Sequence, residues 1–158
     1  MNDATTQPEL TVQRLSREQI RTVYPLMQAV EPGLSLTHWI RYARRVAGPS
    51  QGRKGILVVQ RAGLLHPCGA VCYRRDRNLA GSILLTAEHF IALDLLHPEA
   101  VLRALLSALD ELGQALGCDS IRSIVHGGRT ELLDDFHVAG HAWEGVTLSK
   151  TLAGRPSV

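Results

Sequence analysis

The strongest structural signal in the chain lies between Pro98 and Gly117. Proline is favoured in the first turn of a helix, and glycine is favoured just beyond its end. Between these two residues, apolar side chains recur at the three- and four-residue spacing of a single helix face: Val101, Leu102, Leu105, Leu106, Leu109, Leu112 and Leu116. The sequence therefore predicts one long helix that must pack its apolar face against a large partner surface.

Short segments rich in β-branched and apolar residues provide that partner surface. Strands are predicted at 11–15, 55–62, 68–73, 82–95, 120–126 and 142–152. The other helices are predicted to begin after a capping box of Ser16 and Gln19, after Ser35, and at Thr130. Pro25 is expected to kink or shorten the first helix. The element order is then β-α-α-β-β-β-α-β-α-β, with short connections that permit an antiparallel meander.

Composition limits the domain organisation and the classes of partner. The 158 residues, 45% of them hydrophobic, suffice for one core, so we predict a single domain over residues 10–152, with a flexible tail at 1–9 and a second tail at 153–158. A net charge of +2 is far below the excess that binding to a phosphate backbone requires. No apolar run approaches the roughly 20 residues of a membrane span, and the polar start lacks a secretory signal. A cytoplasmic protein that binds neither nucleic acid nor membrane is expected.

Cysteine and histidine spacing argues against disulfides and metal sites. Cys68, Cys72 and Cys118 make an odd number with no CxxC pair, which favours buried free thiols. His137 and His141 have the i, i+4 spacing of metal ligands on a helix, but the helix is expected to end between them and no carboxylate lies at the matching step. No metal site is predicted.

Four phrases of the sequence, in this order, resemble the GNAT superfamily of acyl-CoA-dependent N-acetyltransferases. Cys68–Arg75 looks like the third strand of such proteins, and Leu93–Pro98 looks like the end of the fourth. Leu112–Cys118 is similar to the close of the central helix, and Phe136–Leu152 is similar to the last turn and final strand. The resemblance covers Leu10 to Leu152. It implies an α/β (α+β) domain whose mixed, mostly antiparallel sheet is flanked by helices.

The resemblance also implies acetyl-CoA or another acyl-CoA as the cosubstrate. In this family the fourth and fifth strands splay apart, and the pantetheine arm pairs with the end of the fourth strand. Here that end is the backbone of Leu93, Leu95 and Leu96. These residues are therefore predicted to hold the pantetheine.

The family places the diphosphate of CoA on amides at the start of the central helix, where small residues allow close approach. An ungapped match puts residues 101–106 on that motif, with Ala104 and Leu106 at the positions of the two small residues. Arg103 would supply a positive charge near the phosphates. The motif is degenerate, and the alternative interpretation is that residues 101–106 form only a buried helical stripe.

Catalytic candidates follow from the same resemblance. Some members carry a general-base glutamate on the fourth strand, a position that Glu88 occupies; a solvent-facing glutamate at a strand start is the alternative. Strand alternation predicts His89 on the opposite face. His97 lies at the strand end near the expected thioester, where it would equally serve as a plain helix cap. The usual general acid is a tyrosine, but Phe136 stands in its place and cannot donate a proton.

Two functions are consistent with these residues. The first is a divergent GNAT-like N-acyltransferase that moves an acyl group from acyl-CoA to a small-molecule or peptide amine, with acceptor contacts expected from residues 27–36. The second is a catalytically inactive GNAT-like domain that serves ligand binding or subunit assembly, and Leu106 and Phe136 favour it. An unrelated α+β binding module would follow if the central strands failed to form one sheet. The sequence leaves homodimerisation through strand pairing open.

Overall fold

A computed structural model describes residues 9–48, 52–126 and 130–152, so residues 1–8 of the predicted tail at 1–9 and the whole predicted tail at 153–158 lie outside the described residues. The strands are β1 (Leu10–Arg14), β2 (Lys54–Arg61), β3 (Gly69–Arg77), β4 (Ile83–Ala92) and β5 (Ser120–Ile124). The helices are α1 (Ile20–Val30), α2 (Leu36–Val46), α3 (Pro98–Ala115) and α4 (Leu133–Val138), and a 3-10 turn over Thr130–Leu132 precedes α4. The long helix predicted after Pro98 is confirmed.

The five strands form one sheet in the order β1-β2-β3-β4-β5. The first three pairings are antiparallel, and β4 and β5 are parallel. Parallel neighbours need a long crossover connection, which α3 provides. The predicted fold class, a mixed and mostly antiparallel sheet flanked by helices, is confirmed.

Helix α3 packs its apolar stripe on one face of the sheet. Val101, Leu102, Leu105 and Leu106 are buried there with residues of β2, β3 and β4. Gly69 allows this close approach, because a Cβ at that position would lie 2.4 Å from Val101 Cγ1. No helix in the described part of the chain is long and apolar enough to cross a membrane.

Helices α1 and α2 cover the opposite face. The indole Nε1 of Trp39 donates to the carbonyl oxygen of Ile20 at 2.6 Å, which fixes α2 against the start of α1. The predicted cap of α2 is confirmed, since the backbone N–H of His38 donates to Ser35 Oγ at 3.2 Å. Pro25 does not end α1, which continues to Val30.

The strand predicted at 142–152 is wrong. Residues 141–152 have no regular secondary structure, and within this described segment no backbone hydrogen bond joins 142–152 to β5. Its large apolar side chains are exposed: Trp143, Val146, Leu148 and Leu152. Alternating apolar residues make a strand only where an unpaired edge and an apolar surface meet them, and this segment packs against neither.

We predict that Gly69→Ala destabilises the protein by about 1–3 kcal/mol, because the added methyl group would overlap Val101 and crowd the carbonyl of Ile91, 3.0 Å away. Urea denaturation of the variant and the parent measures this difference. Gly145→Ala is the matched control: nothing lies within 4 Å of its Cβ position, so its stability should change by no more than about 0.5 kcal/mol. Equal stability of the two variants would contradict the close packing of α3 on β3.

Candidate active site

A β-bulge in β4 creates the candidate site. Ala70 of β3 pairs with Ile91, and Cys72 pairs with Glu88, so His89 and Phe90 face the single residue Val71. His89 absorbs the extra residue with a φ of 57°, among the described residues the one non-glycine with a positive φ. This conformation costs an L-residue about 1–2 kcal/mol. Strain of this kind is concentrated at functional sites.

The pairing of β4 with β5 ends where the bulge begins. Its last pair is Glu88 with Ile124, and β4 continues to Ala92 without β5. A cavity of about 520 Å³ opens in this gap, with His89 and Phe90 on one wall and Val125 and His126 on the other. The two parallel strands thus separate on the side where the resemblance predicts it.

Three titratable side chains meet at the head of this gap. Ligand atoms of Glu88, His89 and His126 lie within 4.8 Å of one another. The rings of His89 and His126 stack with centroids 5.2 Å apart, and His126 Nε2 lies 3.9 Å from Glu88 Oε2. The prediction that His89 points away from Glu88 is wrong, because the bulge breaks the strand alternation on which it rests.

Arg74 on the neighbouring strand β3 fixes one side of the Glu88 carboxylate. Its Nη1 donates to Glu88 Oε1 at 2.6 Å, while its Nε lies 2.9 Å from Asp76 Oδ2. Oε2 of Glu88 is left facing the imidazole of His126. The two imidazoles and the carboxylate have the spacing of a divalent metal site, but the guanidinium already neutralises the carboxylate. Oε2 is therefore the oxygen of the Glu88 carboxylate that remains open to a ligand.

Helices α1 and α2 and the loop between them form the outer wall of the cavity. Met27, Glu31 and Leu34 line it, as residues in the predicted acceptor segment 27–36. Tyr24 holds this loop in place, since its hydroxyl donates to the carbonyl of Leu34 at 2.8 Å. Cys72 lines the cavity wall on β3, and burial raises the pKa of its thiol to about 11, which keeps it protonated and unreactive.

The connection from β4 to α3 is clasped by Asp94. Its Oδ1 accepts backbone N–H groups of Leu96 and His97, both at 2.9 Å, and its Oδ2 is paired with Arg61. The two backbone hydrogen bonds, followed by the Arg61 guanidinium, hold the pKa of Asp94 down at about 2. The Asp94 carboxylate thus already accepts hydrogen bonds from the two backbone N–H groups that directly precede α3.

This clasp decides how the predicted cosubstrate residues are placed. The N–H of Leu93 donates to Cys68 O and the N–H of Leu96 to Asp94, while the side chains of Leu95 and Leu96 are exposed. Because backbone groups alternate along a strand, Phe90 and Ala92 turn theirs toward the open edge of β4. The open edge of β4 is therefore formed by the backbone of Phe90 and Ala92, and Leu93 faces β3 instead.

The start of α3 does not fit a diphosphate. Pro98 has no N–H, and Glu99 adds a negative charge in the first turn. His97 is the N-cap residue of α3, but its side chain makes no capping hydrogen bond. Its Nδ1 lies 3.4 Å from Oε1 of Glu99, and the residue does not line the cavity. Arg103 is exposed one turn further on, Ala104 is half-buried, and Leu106 is buried in the core. The interpretation of residues 101–106 as a helical stripe is therefore the one that the packing supports.

Phe136 is buried where α4 meets β4. Its ring contacts Phe90 edge-on at 4.9 Å and His141 edge-on at 5.3 Å. His141 Nε2 lies 2.9 Å from Ser123 Oγ, and its buried Nδ1 has no hydrogen-bond partner. The sequence does not predict His126 as a site residue, because it lies just beyond β5 and carries no local motif. His141 is considered there only as a metal ligand together with His137.

Comparison of the fold with solved structures identifies its class. An aminoglycoside N-acetyltransferase, AAC(6')-Iy in complex with CoA, superimposes with a TM-score of 0.77 at 10% identity, covering 93% of this chain and 97% of the other. Glucosamine-6-phosphate N-acetyltransferase from Arabidopsis thaliana gives 0.74 at 9% identity, with coverages of 90% and 98%. A Trypanosoma brucei acetyltransferase gives 0.71 at 15% identity, with 91% and 100%. No protein-family model and no curated protein matches the sequence. The chain has the GNAT fold, which confirms the predicted resemblance.

We predict that Asp94→Asn lowers the free energy of unfolding by about 2 kcal/mol at pH 7, the value of a shift from 3.8 to about 2. A pKa lowered by folding contributes stability above its ordinary value and loses it as the pH falls through the folded value. The difference from the parent should therefore shrink between pH 4 and pH 2, as measured by urea denaturation at each pH. Asp110→Asn on the exposed side of α3 is the control; a pH-independent difference for Asp94→Asn would contradict the clasp.

Proposed function

We propose that the protein is an N-acyltransferase that moves an acyl group from a pantetheine thioester such as acyl-CoA to a primary amine. The observation that carries the proposal is the gap between β4 and β5, with a carboxylate and two imidazoles at its head. The unpaired edge of β4 would hold the pantetheine amides as an added strand. The structural neighbours include enzymes named for acetylating aminoglycosides and glucosamine 6-phosphate, which are amines, and this supports an amine acceptor.

Glu88 is the proposed general base. Oε1 is held by Arg74, so Oε2 beside His126 is the atom that takes the proton from the amine nitrogen. The ammonium form of the acceptor first gives one proton to solvent. The neutral nitrogen then attacks the thioester carbonyl carbon, its surplus proton passes to Oε2, and the C–S bond breaks as the amide forms. His126 and the strained His89 position this carboxylate, because both rings pack at the same edge of the gap.

His141 is the proposed donor of the proton that the leaving thiolate takes up. Phe136 has no proton to give, and His141 is the titratable ring in contact with it. Ser123 on β5 orients the imidazole through Nε2, which leaves Nδ1 without a partner inside the protein. When Nε2 accepts from the Ser123 hydroxyl, Nδ1 carries the ring proton.

Replacing the base tests this proposal. Glu88→Gln keeps the size and the hydrogen bond to Arg74 but cannot take a proton, so we expect kcat to fall by about 100-fold or more. A thiol-release assay with acetyl-CoA and a panel of amines measures it. Glu111→Gln, on the exposed side of α3, should leave the rate unchanged. Full activity in Glu88→Gln would overturn the assignment of Glu88.

A second function, a non-catalytic domain of GNAT fold, is favoured by one observation. The carboxylates of Asp94 and Glu99 lie where an anion-binding helix start would offer free amides. A domain that no longer binds CoA has no need of those amides. The two functions differ in whether any pantetheine thioester binds.

Comparison of two donors separates these functions. Because the start of α3 grips no diphosphate, the acyltransferase should use S-acetylpantetheine with a kcat/KM within about tenfold of that for acetyl-CoA, a difference of about 1.4 kcal/mol. A conventional nucleotide-binding enzyme would lose far more on removal of the nucleotide. If neither donor binds in calorimetry and neither is consumed, the protein is the non-catalytic domain.

A further inference from the structure

The cavity beside Glu88 has a distinct chemical character. Its wall on the side of the helices is apolar and partly aromatic, formed by Met27, Val30, Leu34, Trp39 and Tyr42. Phe90 and Leu132 continue this apolar surface across the gap. At about 520 Å³, the cavity is of a size that encloses a small organic ligand. A ligand that fills it must bring an apolar body.

The polar groups of the cavity are few and lie at two positions. His89 and His126 mark the end next to Glu88, and Glu31 is the carboxylate on the helix side. No lysine or arginine is among the described residues that line the cavity. The lining therefore favours a cationic ligand over an anionic one. The proposed base, Glu88, lies at one end of the cavity, next to His126.

We propose that the acceptor is a small primary amine carried on an apolar body of about the size of a phenyl or indole ring. This inference rests on the proposed acyltransferase activity and names its acceptor class. The ring would lie against Trp39 and Leu34, and the amine would point to Glu88. Glu31 draws the cation to the mouth before the amine loses its proton.

Other classes of amine fit the lining less well. A sugar amine would bury hydroxyl groups against apolar side chains, and each hydroxyl without a partner costs about 1–3 kcal/mol. A phosphorylated amine would bring an anion to a cavity whose charged lining residue is Glu31. A polyamine would place its further charged nitrogens against the apolar wall, where Glu31 is the one carboxylate among the described lining residues.

Direct binding of defined probes tests the proposal. Calorimetry of the full-length protein, with and without CoA, should show 2-phenylethylamine binding at least about tenfold more tightly than 2-phenylethanol, glucosamine or spermidine. The alcohol isolates the contribution of the charge, and glucosamine isolates that of the ring. Failure of 2-phenylethylamine to bind under both conditions, or tighter binding of glucosamine or spermidine, overturns the proposal.

Two variants assign the binding to this cavity. Glu31→Gln should weaken 2-phenylethylamine about two- to fivefold and leave 2-phenylethanol unchanged, since the side chain is exposed and contributes through charge. Leu34→Ala should weaken both probes, whereas Leu79→Ala, fully exposed between β3 and β4, should weaken neither. Unchanged binding in both Glu31→Gln and Leu34→Ala places the probe elsewhere and overturns the inference.

The acceptor class and the acyltransferase activity fail in different ways. Binding of 2-phenylethylamine without any thiol release from acetyl-CoA or S-acetylpantetheine supports the cavity's chemistry and contradicts the enzyme. Thiol release with glucosamine but not with 2-phenylethylamine supports the enzyme and contradicts the acceptor class.

Discussion

The bulge at His89 is the constraint on which the site depends. In a regular β4, Glu88 and His89 would lie on opposite faces, and β5 could continue to pair along the same edge. The extra residue ends the β4–β5 ladder at Glu88 and turns His89 toward His126. One positive φ therefore produces the gap, its open strand edge and the cluster of proton-accepting groups together. The helices on both faces hold this local strain in place, since Ile91 and Phe90 are buried on either side of the sheet.

Asp94 imposes the second constraint, at the other end of the same strand. A phosphate that bound the start of α3 would have to displace a carboxylate that already accepts two backbone hydrogen bonds and pairs with Arg61. The contacts of Asp94 stabilise the β4–α3 connection without a bound ligand. Glu99 then opposes any anion that approaches. In this GNAT fold, an internal carboxylate contact thus lies just before the start of α3.

The sequence predicts those parts of the structure that local periodicity determines. The apolar residues of α3 recur at helical spacing, Ser35 directly precedes a helical pattern, and short apolar segments mark β1 to β5 in chain order. Each of these signals lies within a few neighbouring residues. The bulge has no such signal, because it would be a glycine or asparagine at position 89 and the chain has a histidine there. The last strand is predicted from apolar residues in 142–152 and from the resemblance of Phe136–Leu152 to a final strand, yet Trp143, Val146 and Leu148 are exposed. The roles of His126 and Asp94 depend on which loops the fold brings together, and periodicity carries no information about that.

The rigid construction of the acceptor wall bears on the choice between enzyme and non-catalytic domain. The hydrogen bond from Tyr24 to Leu34 fixes the loop between α1 and α2 that lines the cavity. The hydrogen bond from Trp39 to Ile20 fixes α2 against the start of α1. The αL conformation of His89 costs about 1–2 kcal/mol, and a carboxylate is held beside two imidazoles where an apolar side chain would pack without cost. A domain that served only assembly would be more stable without the strained backbone at His89 and without the cluster of titratable side chains. Backbone strain and clustered titratable groups are concentrated at functional sites, so they favour the proposed enzyme over the non-catalytic domain, whether or not the donor carries a nucleotide.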